Sequence, residues 1–148
     1  MVELIIRSME TNDLDPVMVV ETATYSTPWT RDILYQEITH NPHAYYFVAE
    51  WKHKVIGYAG VWIVMDDAQI TNIAIHPDYR GRKFGETLFR YVMQFAIQKR
   101  AKRLSLEVRK SNIAAQHLYR KFGLVPGGIR KNYYADQEDA IIMWVMFS

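Results

Sequence analysis

A chain of 148 residues is long enough to bury one continuous hydrophobic core and short for two, so a single domain over residues 1–148 is expected. With 49% apolar and 23% charged residues it lies outside the weakly hydrophobic, highly charged class that stays disordered, and with no cysteine it cannot hold a disulfide framework, a thiolate zinc site or a cysteine nucleophile. A net charge of +2 is too small to demand a polyanionic partner.

The amino end, Met1 to Arg7, lacks the apolar run of a secretion signal, and no stretch reaches the ~18 apolar residues of a membrane span, which predicts an unexported, cytoplasmic protein without a membrane partner. Leu4 to Arg7 reads as a short strand. Thr11 is a candidate cap for a helix running through Val17, Val20 and Ala23. Pro28-Trp29 breaks that helix, and Thr30 caps a second one through Ile33, Leu34 and Ile38, which Asn41-Pro42 ends.

From Tyr45 to Ile75 the composition turns β-rich, with strands at Tyr45 to Trp51, Val55 to Val64 and Gln69 to Ile75 separated by turns at Lys52-His53-Lys54 and Asp66-Asp67. Three strands joined by such short turns predict an antiparallel meander. Helical spacing returns from Gly85 to Lys99, where Leu88, Val92, Phe95 and Ala96 share one face. Leu104, Leu106 and Val108 then alternate with Ser105, Glu107 and Arg109, which points Glu107 away from the leucines. Ser111-Asn112 supplies a cap for a helix through Ala115, Leu118 and Phe122, Gly123 is a left-handed stop, and strands near Leu124 to Tyr133 and Ala140 to Phe147 close the chain.

The segment Ile73-Ala74-Ile75-His76-Pro77-Asp78-Tyr79-Arg80-Gly81-Arg82-Lys83-Phe84-Gly85-Glu86-Thr87-Leu88 runs from a strand through a basic, glycine-containing loop into a helix. Free N–H groups and the dipole at a helix start attract anions, and glycine lets a ligand approach the main chain. The loop has neither GxGxxG spacing nor the Lys-Ser/Thr ending of an NTPase loop. Its simplest alternative is a surface turn that caps a helix. The five histidines show no HExxH spacing, so no metal site is expected.

Arg80 and Gly85 match the ends of the acetyl-CoA pyrophosphate motif Arg/Gln-x-x-Gly-x-Gly/Ala, and the chain resembles the Gcn5-related N-acetyltransferase (GNAT) superfamily. Lys83 stands where the motif has its middle glycine, a departure that matters if the backbone there takes a positive φ. Within the superfamily the chain is most similar to the RimI-type ribosomal-protein-alanine N-acetyltransferases. The matching stretches are Pro28-Trp29, Asn72 to Ile75, Leu106 to Arg109, Ser111-Asn112 with Ala114-Ala115, Leu118-Tyr119, Arg130 to Tyr134 and Glu138 to Met143.

The resemblance implies an α+β fold, a central mixed and mostly antiparallel sheet of about seven strands flanked by about four helices. It also implies acetyl transfer from acetyl-CoA, as co-substrate, to the N-terminal alanine of a ribosomal protein by direct attack. On the matching positions, Glu107 is the general base and Tyr119 the general acid. Ile73, Ala74 and Ile75 hold the acetyl end of the cofactor, Gly81, Arg82, Lys83, Phe84, Gly85 and Glu86 form the pyrophosphate cradle, and Asn112 is a further cofactor contact. Trp29, Tyr133 and Tyr134 form an aromatic wall for the acceptor peptide, while Asp136, Glu138 and Asp139 are candidates for favouring a basic one.

A different acceptor is the first alternative: another protein N-terminus, a lysine side chain or a small amine. A noncatalytic CoA- or nucleic-acid-binding module using the basic cluster around Lys99 to Arg103 is the second; Arg109 and Lys110 are further cations nearby in the sequence. No RNA-binding signature accompanies those cations, so no stable nucleic-acid partner is expected. The sequence specifies no oligomeric state.

Overall fold

A computed structural model describes residues 3–147, so the expectation about an absent secretion signal lies partly outside the described residues, at Met1 and Val2. Strands β1 (Ile5–Ser8), β2 (Ala44–Trp51), β3 (Lys54–Val64), β4 (Asp67–Ile75), β5 (Arg103–Arg109), β6 (Val125–Arg130) and β7 (Ala140–Met146) form a seven-stranded sheet in the order β1-β2-β3-β4-β5-β7-β6. Helices α1 (Leu14–Thr24), α2 (Arg31–His40), α3 (Phe84–Gln98) and α4 (Ile113–Lys121) cover it. All strand pairs are antiparallel except β4 with β5, which the α3 crossover makes parallel. The expected α+β class and mixed sheet are therefore those of the fold.

Local chemistry explains most boundaries. Lys52 and His53 both take positive φ, 52° and 65°, as the tight β2–β3 hairpin requires. The Thr30 hydroxyl accepts the Ile33 N–H at 3.1 Å, and Asn112 Oδ1 accepts the Ala115 N–H at 3.1 Å, so both expected caps are in place. Gly123 stops α4 with φ +91°. Thr11 does not cap a helix: it opens a 3-10 turn, Thr11–Asp13, ahead of α1. There the Glu10 N–H donates to Asp13 at 2.7 Å and Arg7 grips the same carboxylate at 2.8 Å. An ionic partner from β1 wins over the hydroxyl that chain position suggested.

Two further boundaries shift. The turn before β4 centres on Met65, at φ 57°, so Asp67 belongs to the strand. β6 ends at Arg130, leaving Tyr133 and Tyr134 in the loop before β7.

The sheet buries both faces. On one, Leu88, Phe89, Val92 and Ala96 of α3 and Tyr119 of α4 pack on Ile75, Leu104, Leu106, Val108 and Met143. On the other, Leu14, Val17 and Val20 of α1 and Leu34 of α2 pack on Tyr46, Val48, Tyr58 and Ala74. At ~1.5–3 kcal/mol per fully buried large side chain, this packing outweighs the ~1 kcal/mol of any one cap.

Candidate active site

β4 and β5 pair only from Asp67–Arg103 to Gln69–Ser105. Beyond that point their registers contain no partners for each other, although β4 continues to Ile75 and β5 to Arg109. The sheet is thus split into a wedge bounded by Ile70 to Ile75 on one side and Leu106 to Arg109 on the other. The His76 N–H donates to Ile56 O at 2.7 Å, and antiparallel groups alternate, so the main-chain groups of Ala74 face β3 while those of Ile73 and Ile75 face the wedge. In agreement, the Ile73 carbonyl accepts a hydrogen bond from the Tyr25 hydroxyl at 2.8 Å.

The basic loop lies where β4 ends and α3 begins. The first helical bond of α3 runs from the Thr87 N–H to Lys83 O, which leaves the N–H groups of Phe84, Gly85 and Glu86 without helical acceptors. Gly81 takes φ +80° with open space where a Cβ would lie. Of the two acids here, Asp78 lies 3.8 Å from His76, and the Glu86 side chain turns to Lys121 at 3.0 Å and Arg90 at 3.5 Å, so only the Glu86 N–H remains for an anion. The Arg82 guanidinium stacks 4.7 Å over the Trp51 ring. These groups fit a diphosphate: free N–H donors, several cations and close access to the main chain.

Lys83 keeps the geometry of the glycine it replaces, with φ 63° and ψ 19°. A side chain in this left-handed region costs roughly 1 kcal/mol or more. Lys83→Gly and Lys83→Ala both remove the charge and differ only in backbone tolerance. Thermal unfolding should therefore find the glycine variant more stable than the alanine variant by about 1 kcal/mol; equal stabilities would mean that this conformation is unstrained.

Glu107 and Tyr119 approach the wedge from opposite faces. Leu106 and Val108 belong to the core under α3 and α4, so alternation places Glu107 on the other face, where its side chain is 15% exposed. Arg130 Nε lies 3.1 Å from one Glu107 oxygen, and the Tyr133 hydroxyl donates to the other at 3.2 Å. The Tyr119 ring is buried against Phe89, with centroids 5.0 Å apart. Burial first, then neighbouring Tyr134, pushes its phenol above the ordinary tyrosine range. A phenol so raised is a poorer match to a thiolate of pKa ~8.5, so Tyr119 suits hydrogen-bond donation to a departing sulfur better than full proton transfer.

Around Glu107 the aromatic wall is assembled in part. Tyr133 and Tyr134 pack edge-on at 5.1 Å, and burial pushes Tyr134 up to about 12. Trp29 is half-buried beside α1, and its main-chain N–H donates to the Glu21 carboxylate at 2.8 Å. Asp136, Glu138 and Asp139, the candidates for favouring a basic peptide, also make contacts within the chain. Asp136 and Glu138 are both engaged by Arg109, at 2.8 and 2.9 Å, and Asp139 accepts the Asn132 N–H at 2.9 Å. One guanidinium offsets only part of the charge of these three carboxylates. The basic cluster is likewise depleted, because Arg103 pairs with Asp67 at 2.8 Å.

Two residues escaped the sequence reading. Tyr25 reaches the wedge edge. Glu21, 2% exposed, accepts hydrogen bonds from Tyr58 and the Trp29 N–H, tying α1 to the acceptor side. Its signal was available: a carboxylate four residues after Val17, on the stripe that α1 buries, needs a buried partner.

The family model described as "Acetyltransferase (GNAT) family" matches residues 11–124. A Bacillus subtilis (strain 168) protein named, provisionally, a ribosomal protein bS18-alanine N-acetyltransferase is 57% identical over 141 residues, covering 95% of this chain and 93% of its own length. The Escherichia coli (strain K12) ribosomal protein bS18-alanine N-acetyltransferase is 34% identical over 143 residues, with 93% and 94% covered. The crystal structure of the ribosomal-protein-S18-alanine N-acetyltransferase from Escherichia coli superposes with a TM-score of 0.91 at 32% identity, covering 99% of this chain and 95% of that one.

Proposed function

The chain belongs to the GNAT acetyltransferase family, and from that membership we propose that it acetylates the N-terminal alanine of a ribosomal protein, bS18 by the names of its relatives. The observation that carries the site assignment is the wedge between β4 and β5, with Glu107 on one face and Tyr119 on the other. Acetyl-CoA supplies the activated acetyl group. The N–H groups of Phe84, Gly85 and Glu86, with Gly81, Arg82 and Lys83, hold its diphosphate, and the wedge-facing groups of Ile73 and Ile75 hold the acyl arm as a further strand would be held. Asn112, whose Oδ1 caps α4, is a further cofactor contact through the rest of its amide.

On the opposite face the acceptor enters between Trp29 and the Tyr133–Tyr134 wall. Glu107 accepts the proton of the amine, directly or through a water, and Tyr119 donates a hydrogen bond to the sulfur as it departs. The gap between β4 and β5 lets the two groups reach one thioester from different sides. Residues 1–148 act as one domain, in the cytoplasm where ribosomal proteins are made. Among the described residues, no helix is long and apolar enough to cross a membrane.

An N-terminal amine is roughly a tenth neutral at pH 7 and a lysine side chain less than a thousandth, so ionisation alone favours the terminus by about a hundredfold or more. Acetyl transfer to a panel of peptides, with mass spectrometry locating the group, should show an alanine-terminated ribosomal peptide modified on its α-amine and outpacing lysine peptides and polyamines by at least that margin. Equal turnover of all amines would refute the acceptor assignment.

A further inference from the structure

We propose that Arg109 is a positioning residue that locks the acceptor-facing loop between β6 and β7 onto the start of α4, so that the peptide meets a wall already set against Glu107. The inference rests on the reading above that the acceptor enters beside Glu107.

Arg109 stands two residues beyond Glu107 on the same face of β5. Its Nη1 donates to Asp136 Oδ2 at 2.8 Å and Oδ1 at 3.0 Å, and to Glu138 Oε1 at 2.9 Å. Its guanidinium lies 4.0 Å over the Tyr134 ring. Tyr134 packs on Tyr133, whose hydroxyl donates to Glu107, so contacts run unbroken from Arg109 to the proposed base. In the other direction, Glu138 Oε2 accepts the Ser111 N–H at 2.8 Å, one residue before the Asn112 cap of the helix that carries Tyr119. The Lys110 N–H adds a main-chain bond to Asp139 O at 3.1 Å.

An isolated exposed ion pair contributes little. Here Nη1 alone serves two carboxylates of a single loop while the guanidinium plane lies over an aromatic ring; a lysine can supply the charge but not that planar face. Without the guanidinium, Asp136 and Glu138 face each other as like charges and the loop loses its anchor to β5. Displacements near 1 Å at a reaction centre cost up to about a hundredfold in rate, so the consequence should appear in acceptor handling. The cofactor cradle, at the start of α3, makes none of these contacts.

The test compares wild type, Arg109→Gln, Arg109→Lys and Glu138→Gln by steady-state acetylation of an alanine-terminated peptide, with acetyl-CoA affinity measured by calorimetry. Arg109→Gln should raise the acceptor KM about tenfold or more while the acetyl-CoA Kd stays within about twofold, and Arg109→Lys should recover part of the loss. Should Arg109→Gln fail to fold, Glu138→Gln decides, with a smaller rise in acceptor KM expected. An unchanged acceptor KM in the folded variant, or acetyl-CoA affinity falling in step, overturns the proposal. Wild-type protein that leaves the peptide unacetylated overturns the functional reading along with it, whereas wild-type turnover indifferent to Arg109 overturns this inference alone.

Discussion

Glu107→Gln is expected to lower kcat/KM for an alanine-terminated peptide by about a hundredfold or more near pH ~6.5, with the deficit shrinking as the pH passes ~8. In acid the acceptor arrives as an ammonium, and a carboxylate at the wedge both attracts it and takes its proton. A carboxamide does neither, so the variant depends on the free amine that the bulk supplies, which rises about tenfold per pH unit below the amine pKa. Glutamine preserves the size of the side chain, and its one carbonyl oxygen can still accept from either Arg130 or Tyr133, which bind separate oxygens of the carboxylate, so the wall keeps one of the two bonds. A pH–rate profile parallel to that of wild type would remove Glu107 from proton transfer.

Tyr119→Phe should reduce kcat by about 10- to 100-fold and leave acetyl-CoA affinity within about twofold, the value of one hydrogen bond to a developing charge, ~1.5–3 kcal/mol. The ring remains against Phe89, so stability should barely move. The pH dependence follows from the direction of the shift. Burial raises the Tyr119 pKa, so its neutral, donating form persists beyond the ordinary phenol range, and wild-type kcat should show no alkaline fall from this group below about pH 10. Turnover unaffected by the substitution would assign Tyr119 to packing.

Much of the scaffold was readable because its determinants are local. Thr30 and Asn112 cap through bonds three residues away, and Gly123 and the β2–β3 hairpin depend on backbone freedom at single positions. Strand alternation assigned Glu107 to its face before any neighbour was known. Thr11 was misjudged because the competing bond comes from Arg7 in a separate strand, and a hydroxyl does not outbid a guanidinium–carboxylate pair. Lys83 was ambiguous for a different reason: residue type makes a positive φ improbable without forbidding it, and the loop between β4 and α3 imposes it.

By itself the sequence determined the element types, the two-faced pattern of β5, the anion-attracting loop and the family, since each depends on residues close in the chain or on their order. Only the tertiary structure decided that β4 and β5 part after Gln69 and Ser105, that Tyr119 packs on the sheet face opposite to Glu107, and that Asp136 and Glu138 pair with Arg109. The physical reason is that a charge or a strand edge becomes functional through what is left unpaired after folding, and pairing between residues 27 or 29 positions apart is settled by packing rather than by propensity.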